Sequence, residues 1–265
     1  MNAPANTEPI VRVHGLTTRF DTVSTHESLD LDVYRGEILG VVGGSGTGKS
    51  VLLRTIIGLN RAAQGTIEVF GRRLDELPRE ERSTQERRWG VLFQDAALFS
   101  SLTVGQNIEV PMREHLELGL SEKLMDEIAT LKIGMVGLPP DTGAKYPSEL
   151  SGGMRKRAGL ARALALDPEI VFLDEPTAGL DPIGAASFDR LIVELSRSLG
   201  LTVFMVTHDL DTLYAVCDRV AVLAEKKVLV TGNIADMLNY DHPWVQSYFG
   251  GPRGRAARGD HARGT

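Results

Sequence analysis

The chain has 265 residues, with 29 lysines and arginines against 35 aspartates and glutamates, so its formal net charge is −6. Apolar residues make up 42% and charged residues 24%, which is ordinary for a globular protein and excludes a disordered or collagen-like chain. The single cysteine, Cys217, excludes an intrachain disulfide and fits a reducing compartment. We expect no secretory signal and no membrane-spanning helix, because no apolar run approaches about 18 residues. The net negative charge also argues against nucleic acid as a partner.

Apolar patterning predicts an α/β fold. Residues 10–13 and 29–33 alternate apolar and polar side chains, which predicts two antiparallel strands. Residues 37–42 form a short apolar run that breaks into glycines and resumes with helical spacing at 50–57, so we predict a strand, a loop and a helix. Continuous apolar runs of this kind are typical of parallel strands that are covered on both faces, and two more follow, at 170–173 and 201–206.

The remaining segments predict a helical insert and polar ends. Ser121 begins a segment with apolar residues at helical steps that closes at Gly137, which predicts a helix. Residues 79–88 carry both signs of charge and are interpreted as a solvated face without a function. We expect a flexible N-terminus over 1–9 and a flexible tail over 251–265, whose four arginines and one aspartate give it a charge of +3. A solvated end, contact with anionic lipid headgroups and an arm onto a neighbouring copy are all open for this tail.

A phosphate-binding loop is predicted between the first buried strand and the following helix. The segment fits G-x-x-x-x-G-K-[ST], in which glycines let backbone N–H groups approach phosphate oxygens at the positive end of a helix dipole. The lysine reaches the β- and γ-phosphates, and the final serine offers a hydroxyl to Mg²⁺. Its eight residues are Gly43, Gly44, Ser45, Gly46, Thr47, Gly48, Lys49 and Ser50.

Two carboxylates end the buried run at 170–173. Asp174 and Glu175 lie at the carboxyl end of this predicted strand, where open α/β folds bind ligands. Beside a phosphate loop, the two carboxylates of such a pair can have different roles. We expect Asp174 to hold the metal, and Glu175 to orient and deprotonate the water that attacks the γ-phosphate.

The segment Leu150 to Met154, LSGGM, resembles the signature of ATP-binding-cassette proteins. Other landmarks of that family follow the expected order between about residues 10 and 238. They are Phe20 as the aromatic that stacks on adenine, Gln94 in the glutamine loop, residues 178–181 as the D-loop, and His208 as the switch histidine. The resemblance implies one cassette over 10–250, with a RecA-like phosphate-loop core, an N-terminal antiparallel β subdomain and a helical signature subdomain at about 95–167.

The resemblance also implies an ATPase that uses ATP and Mg²⁺. Besides Phe20 and the phosphate loop, Val51 would contact the nucleotide, and Ser151, Gly152 and Gly153 would form a second phosphate cradle facing the ATP of another copy. The working form would then be a head-to-tail homodimer. Met154 replaces the glutamine that is common in this signature, but Ser151 and Gly153 are unchanged, so we expect activity to be retained. The implied metal ligands are Ser50, Gln94 and Asp174, and the implied catalytic residues are Glu175, His208 and Gln94.

The motifs together look like the ATPase of bacterial phospholipid-trafficking transporters of the Mla type. That likeness implies an integral-membrane permease and an MCE-domain lipid-binding protein as partners, and a place at the cytoplasmic face of the inner membrane. Leu98, Phe99 and Leu102 would line the groove for a coupling helix of the permease, or serve simply as subdomain core. Two alternatives are open: an importer or exporter ATPase for another small substrate, and a cassette without a transport role that acts on nucleic acid or ribosomes.

Overall fold

The computed structural model describes residues 8–21 and 23–261. Ten strands lie within these residues, and those at 38–42, 170–174 and 202–206 are buried throughout, as the continuous apolar runs predict. They are β1 (Pro9–Phe20), β2 (Val23–Tyr34), β3 (Ile38–Val42), β4 (Gln64–Val69), β5 (Arg72–Arg73), β6 (Trp89–Leu92), β7 (Ile170–Asp174), β8 (Thr202–Val206), β9 (Arg219–Ala224) and β10 (Lys227–Gly232).

The described part of the chain also contains ten α-helices, and several begin at a side-chain cap. Ser121 accepts a hydrogen bond from the Leu124 N–H at 3.3 Å, which confirms the predicted start of the helix that follows it. The helices are α1 (Lys49–Ile56), α2 (Arg79–Glu86), α3 (Val104–Glu114), α4 (Glu122–Met135), α5 (Gly152–Ala163), α6 (Pro182–Leu199), α7 (Leu210–Val216), α8 (Ile234–Asn239), α9 (Pro243–Gly250) and α10 (Pro252–His261).

The chain forms two compact units, and the first comprises residues up to Gln85 together with those from Thr202 onward. One sheet of this unit is antiparallel, in the order β2-β1-β4-β5, which confirms the predicted N-terminal antiparallel strands. A second set of strands places β3 parallel to both β8 and β9, with β10 antiparallel to β9. Every residue of β3 and β8 is buried, as continuous apolar strands require.

The second unit spans Glu86–Leu201. Its strands β6 and β7 are parallel, with Leu92 opposite Leu173. Helix α5 lies close against β6, since a Cβ on Gly90 would stand 1.9 Å from the Ala163 carbonyl oxygen. Helices α3, α4 and α5 pack on one another within residues 95–167. The exact limits of a helical subdomain stay a prediction, because the unit also contains β6, β7 and α6.

The tail differs from its prediction. Residues 252–261 form α10, whereas the sequence predicts a flexible segment from residue 251. Gly254 and Ala257 are buried, and the helix packs on α7 and α9. Small side chains allow α10 to pack closely on its neighbours. They form no apolar stripe with helical spacing, so the sequence pattern does not indicate this helix. Residues 1–7 of the predicted flexible N-terminus and residues 262–265 of the tail lie outside the described ranges.

Candidate functional site

The phosphate loop occupies the turn between β3 and α1 in the first unit. Gly48, the residue before the helix, has φ of +94°, which a side chain rarely tolerates. A Cβ at Gly48 would stand 2.4 Å from the Thr25 side chain, and one at Gly43 would stand 2.2 Å from the Leu223 carbonyl oxygen. Both glycines are therefore required by the packing around the loop, independently of any ligand.

Lysine and threonine side chains brace this loop from within. Lys49 Nζ donates to the carbonyl oxygens of Gly43 and Gly44, at 2.9 and 3.1 Å. The Thr47 hydroxyl donates to the same Gly44 oxygen at 2.9 Å. Ser45 and Gly46 are exposed at the tip of the loop, and the first turn of α1 contains no acidic residue. A braced, positively polarised loop of exposed backbone suits a polyphosphate.

A buried histidine beneath the loop was not expected from the sequence. His26 on β2 is fully buried, and its Nδ1 lies 2.8 Å from the Thr18 hydroxyl oxygen. A Cβ on Gly48 would stand 2.6 Å from its Nε2, so the imidazole supports the end of the phosphate loop. Burial lowers the pKa of His26 from 6.5 to about 4, although backbone groups of Gly48 and Thr47 oppose the shift.

This histidine should make folding pH-dependent. Because its pKa is lower in the folded than in the unfolded chain, its contribution is complete above pH 6.5 and declines as the pH falls towards 4. The shift corresponds to a loss of about 3 kcal/mol of unfolding free energy. Urea unfolding of the wild type and of His26→Leu between pH 7 and 4 measures it, with exposed His14→Gln as the control. Equal pH slopes for wild type and His26→Leu would show that His26 does not titrate this way.

The acidic pair lies in the second unit, at the carboxyl end of β7. Asp174 is buried within the strand end, and Glu175 follows with φ of +50°. The Lys156 ammonium on α5 donates to the Gln94 carbonyl oxygen and, at 2.9 Å, to the Glu175 carbonyl oxygen. The structure thus brings Gln94 and Glu175 to one lysine that sequence reasoning missed. The sequence feature that could have indicated Lys156 is that it is the single lysine among the small buried residues of α5.

The signature and D-loop segments both lead into helices of this unit. Ser151 is the N-cap of α5, and its hydroxyl accepts from the Met154 N–H at 3.2 Å, so Gly152 and Gly153 form the first turn. In the D-loop, Gly179 has φ of +79°, and Asp181 caps α6 by accepting from the Gly184 N–H at 2.9 Å. A capped glycine turn leaves backbone N–H groups at the helix start, which is the arrangement that binds anions.

His208 lies between β8 and α7 in the first unit. Its carbonyl oxygen accepts a hydrogen bond from the Tyr248 hydroxyl of α9 at 2.8 Å. Tyr248 stacks on Trp244 with ring centroids 4.8 Å apart, and Trp244 Nε1 lies 3.7 Å from where a Cβ on Gly44 would stand. The aromatic pair of α9 therefore contacts the segments on which both Gly44 and His208 lie.

Two further predicted residues lie at element ends. Phe20 ends β1, but its side chain is outside what the structure describes. Phe99 follows the Gln94 turn with its side chain 51% exposed. Its backbone is fixed by the buried Asn107, which accepts from the Phe99 N–H at 2.8 Å and donates to its carbonyl oxygen at 3.1 Å. Leu98 and Leu102 are only partly buried.

None of the helices within residues 8–21 and 23–261 combines the length and the apolar composition that crossing a bilayer requires.

Comparisons with known proteins agree with these motifs. The probable ribonucleotide transport ATP-binding protein mkl of Mycobacterium leprae is 40% identical over 92% of this chain and 69% of its own length. The intermembrane phospholipid transport system ATP-binding protein MlaF of Haemophilus influenzae is 37% identical over 229 residues, or 86% of each chain. A dimeric, post-hydrolysis structure of an ATP-binding cassette bound to ADP and Pi superposes with a TM-score of 0.76 at 27% identity, covering 84% of this chain and 98% of that one.

A sequence profile of the ABC transporter family matches residues 26–178, which include the phosphate loop, the signature and the acidic pair. The α/β fold with an antiparallel sheet and parallel strands agrees with that of the solved cassette. The chain therefore belongs to the ABC transporter family, as an ATP-binding cassette that hydrolyses ATP.

Proposed function

We propose that this cassette powers phospholipid trafficking between the inner and outer membranes. The observation that carries the proposal is the likeness to MlaF of Haemophilus influenzae, which extends over 86% of both chains. The mkl relative is slightly more identical, but about a third of its length has no counterpart in the match. Its name supports the second candidate, a transporter ATPase for another small substrate such as a ribonucleotide.

Within the first unit, we assign the phosphates of ATP to the loop from Gly43 to Ser50. The backbone N–H groups of the loop and the α1 dipole would hold the phosphate oxygens, and Lys49 would exchange its loop carbonyls for the β- and γ-phosphates. Val51 would continue these contacts in the first turn of α1, and Phe20 would stack on adenine. His208 would contact the γ-phosphate from the turn after β8.

Within the second unit, the side chains of Glu175 and Gln94 would act on the attacking water. The Glu175 carboxylate would accept a proton from that water as the water oxygen bonds to the γ-phosphorus and the bond from this phosphorus to the bridging oxygen breaks, so that ADP leaves. The Gln94 side chain would orient the water. For Mg²⁺, we propose Gln94 and Asp174 of this unit and Ser50 of the first unit as ligands, because their amide, carboxylate and hydroxyl oxygens are donors that the ion prefers. Mg²⁺ would neutralise charge that develops on the phosphate oxygens.

The signature segment would act on the nucleotide of a second copy. Ser151, Gly152 and Gly153 present a hydroxyl and backbone N–H groups at the start of α5, where an anion could bind. The solved cassette bound to ADP and Pi is dimeric, which supports a head-to-tail homodimer as the hydrolysing form. One copy alone should then hydrolyse ATP slowly.

The partners follow from the transport role. An integral-membrane permease would dock at Leu98, Phe99 and Leu102, and an MCE-domain lipid-binding protein would complete the assembly at the inner membrane. Phe99, half exposed beside a rigid turn, is the most prominent apolar feature of this surface. With a net charge of −6, nucleic acid is not among the partners we propose.

Purification of the tagged chain from detergent-solubilised membranes at its natural expression level tests these partners. We expect an integral-membrane permease, an MCE-domain protein and bound phospholipid to co-purify. The permease should no longer co-purify with the Phe99→Asp variant, because a charge would be buried at the contact. Leu131→Asp is the control, since Leu131 is a similarly exposed (60%) apolar residue of the same unit. Recovery of ribosomes or nucleic acid, or of a permease with a different binding protein, would contradict the lipid assignment.

A further inference from the structure

Lys156 is a buried cation between two loops of the second unit. Its side chain lies on α5, five residues after Ser151, and the residue is only 6% exposed. The ammonium donates to the main-chain carbonyl oxygens of Gln94 and Glu175. A hydrogen bond to a carbonyl oxygen fixes the backbone rather than the side chain. Lys156 therefore fixes the backbone positions from which the side chains of Gln94 and Glu175 extend.

Burial and nearby negative charge act on the Lys156 ammonium in opposite directions, and burial is the larger effect. Burial lowers the pKa of Lys156, while the negative charges of Asp95, Glu175 and Asp174 raise it. Hydrogen bonds from a charged donor are stronger than those between neutral groups. Removing the ammonium would therefore leave two carbonyl groups in this region without their charged donor.

The backbone that Lys156 holds is otherwise unfavourable. Glu175 has φ of +50°, in the left-handed region that residues with a side chain seldom occupy. Besides the lysine, the Glu175 carbonyl oxygen accepts from the Ala178 N–H at a longer 3.2 Å. The charged contact is thus shorter than this backbone contact.

A second cation of α5 holds the turn that follows Gln94. Arg162 donates to the carbonyl oxygens of Ala96 and Ala97, at 2.8 and 2.7 Å. Both alanines have positive φ, of 60° and 49°. Lys156 and Arg162 therefore fix the glutamine turn from two points about two helical turns apart on α5.

We propose that Lys156 is a positioning residue for ATP hydrolysis: from the signature helix, it holds the backbones of Gln94 and Glu175 where their side chains can act on the attacking water. The inference rests on the roles proposed above for Gln94 and Glu175. It adds that the helix that begins at the signature serine also sets the geometry of its own chain's hydrolytic residues.

Steady-state kinetics of full-length variants test the proposal, at protein concentrations where the specific activity no longer rises. Lys156→Met should lower kcat at least tenfold and change the KM for ATP less than threefold, because misplaced hydrolytic groups slow chemistry rather than binding. Lys156→Arg should recover most of the loss by restoring a charged donor. Should Lys156→Met not fold, Lys156→Gln, which keeps one donor group, replaces it with the same expectation.

Lys132→Met is the matched control. Lys132 is 2% exposed on α4 of the same unit, and its ammonium pairs with the Asp167 carboxylate at 2.5 Å rather than with a carbonyl oxygen of Gln94 or Glu175. We expect it to lower the unfolding midpoint as Lys156→Met does, but to keep kcat within twofold of wild type. Equal kcat losses in the two variants would reduce Lys156 to a structural residue, and a rise in KM with kcat preserved would make it a binding residue. Either result overturns the proposal.

Glu175→Gln measured beside these variants separates the two claims. Loss of turnover in Glu175→Gln with normal turnover in Lys156→Met overturns only the positioning role. Normal turnover in Glu175→Gln contradicts the proposed function of Glu175, and the positioning proposal falls with it.

Discussion

Glu175→Gln is expected to bind ATP with nearly wild-type affinity and to lose at least a hundredfold in turnover. The amide keeps the size of the carboxylate but cannot take a proton from water, and a general base contributes roughly 10²- to 10⁴-fold. The backbone at Glu175 should be retained, because the substitution leaves the carbonyl oxygen that accepts from Lys156 in place.

Phosphate release and nucleotide binding, measured on the same preparation, separate chemistry from affinity. Glu194→Gln is the control, since Glu194 is exposed on α6 of the same unit. The variant should also accumulate as an ATP-bound dimer in size-exclusion chromatography, because binding continues while reopening by hydrolysis stops. Hydrolysis at the wild-type rate would remove Glu175 as the base.

Lys49→Ala is expected to weaken ATP binding by about 10- to 100-fold, which is what a hydrogen bond to a charged group contributes. Titration calorimetry with ATP measures the loss directly. In this variant, the Gly43 and Gly44 carbonyl oxygens also lose their lysine donor, so part of the effect is a looser loop.

An exposed residue of the same helix is the comparison for Lys49. Arg54 lies in the last turn of α1, and Arg54→Ala should leave the affinity for ATP unchanged. Unfolding midpoints of the two variants show whether the altered loop affects the fold as a whole. Wild-type affinity in Lys49→Ala would contradict the assignment of the phosphates to this loop.

Local patterns in the sequence predicted the strands and the phosphate loop. The apolar runs at 37–42 and 201–206 became β3 and β8, each buried throughout. Such patterns succeed because continuous burial of a short strand requires continuous apolar residues. The strand-loop-helix context of Lys49 and Ser50 is confirmed because motif and context are adjacent in sequence, whereas their contacts with phosphate and Mg²⁺ stay predictions.

Contacts between distant segments could not be predicted in this way. Lys156 lies 62 residues from Gln94, and Tyr248 lies 40 residues from His208, so no local pattern pairs them. The contact of His26 with the phosphate loop could not be predicted either, because a single histidine in an alternating strand indicates no particular role. Helix α10 was missed because its packing depends on small residues, Gly254 and Ala257, rather than on an apolar stripe.

The positions of the two tryptophans have a spectroscopic consequence. Trp89 opens β6 in the second unit, whereas Trp244 stacks on Tyr248 beside the phosphate loop in the first. Each unit thus contains one of the two indoles of the chain. Intrinsic emission after removal of either tryptophan would report the melting of one unit alone, and emission from Trp244 would also report changes around Gly44.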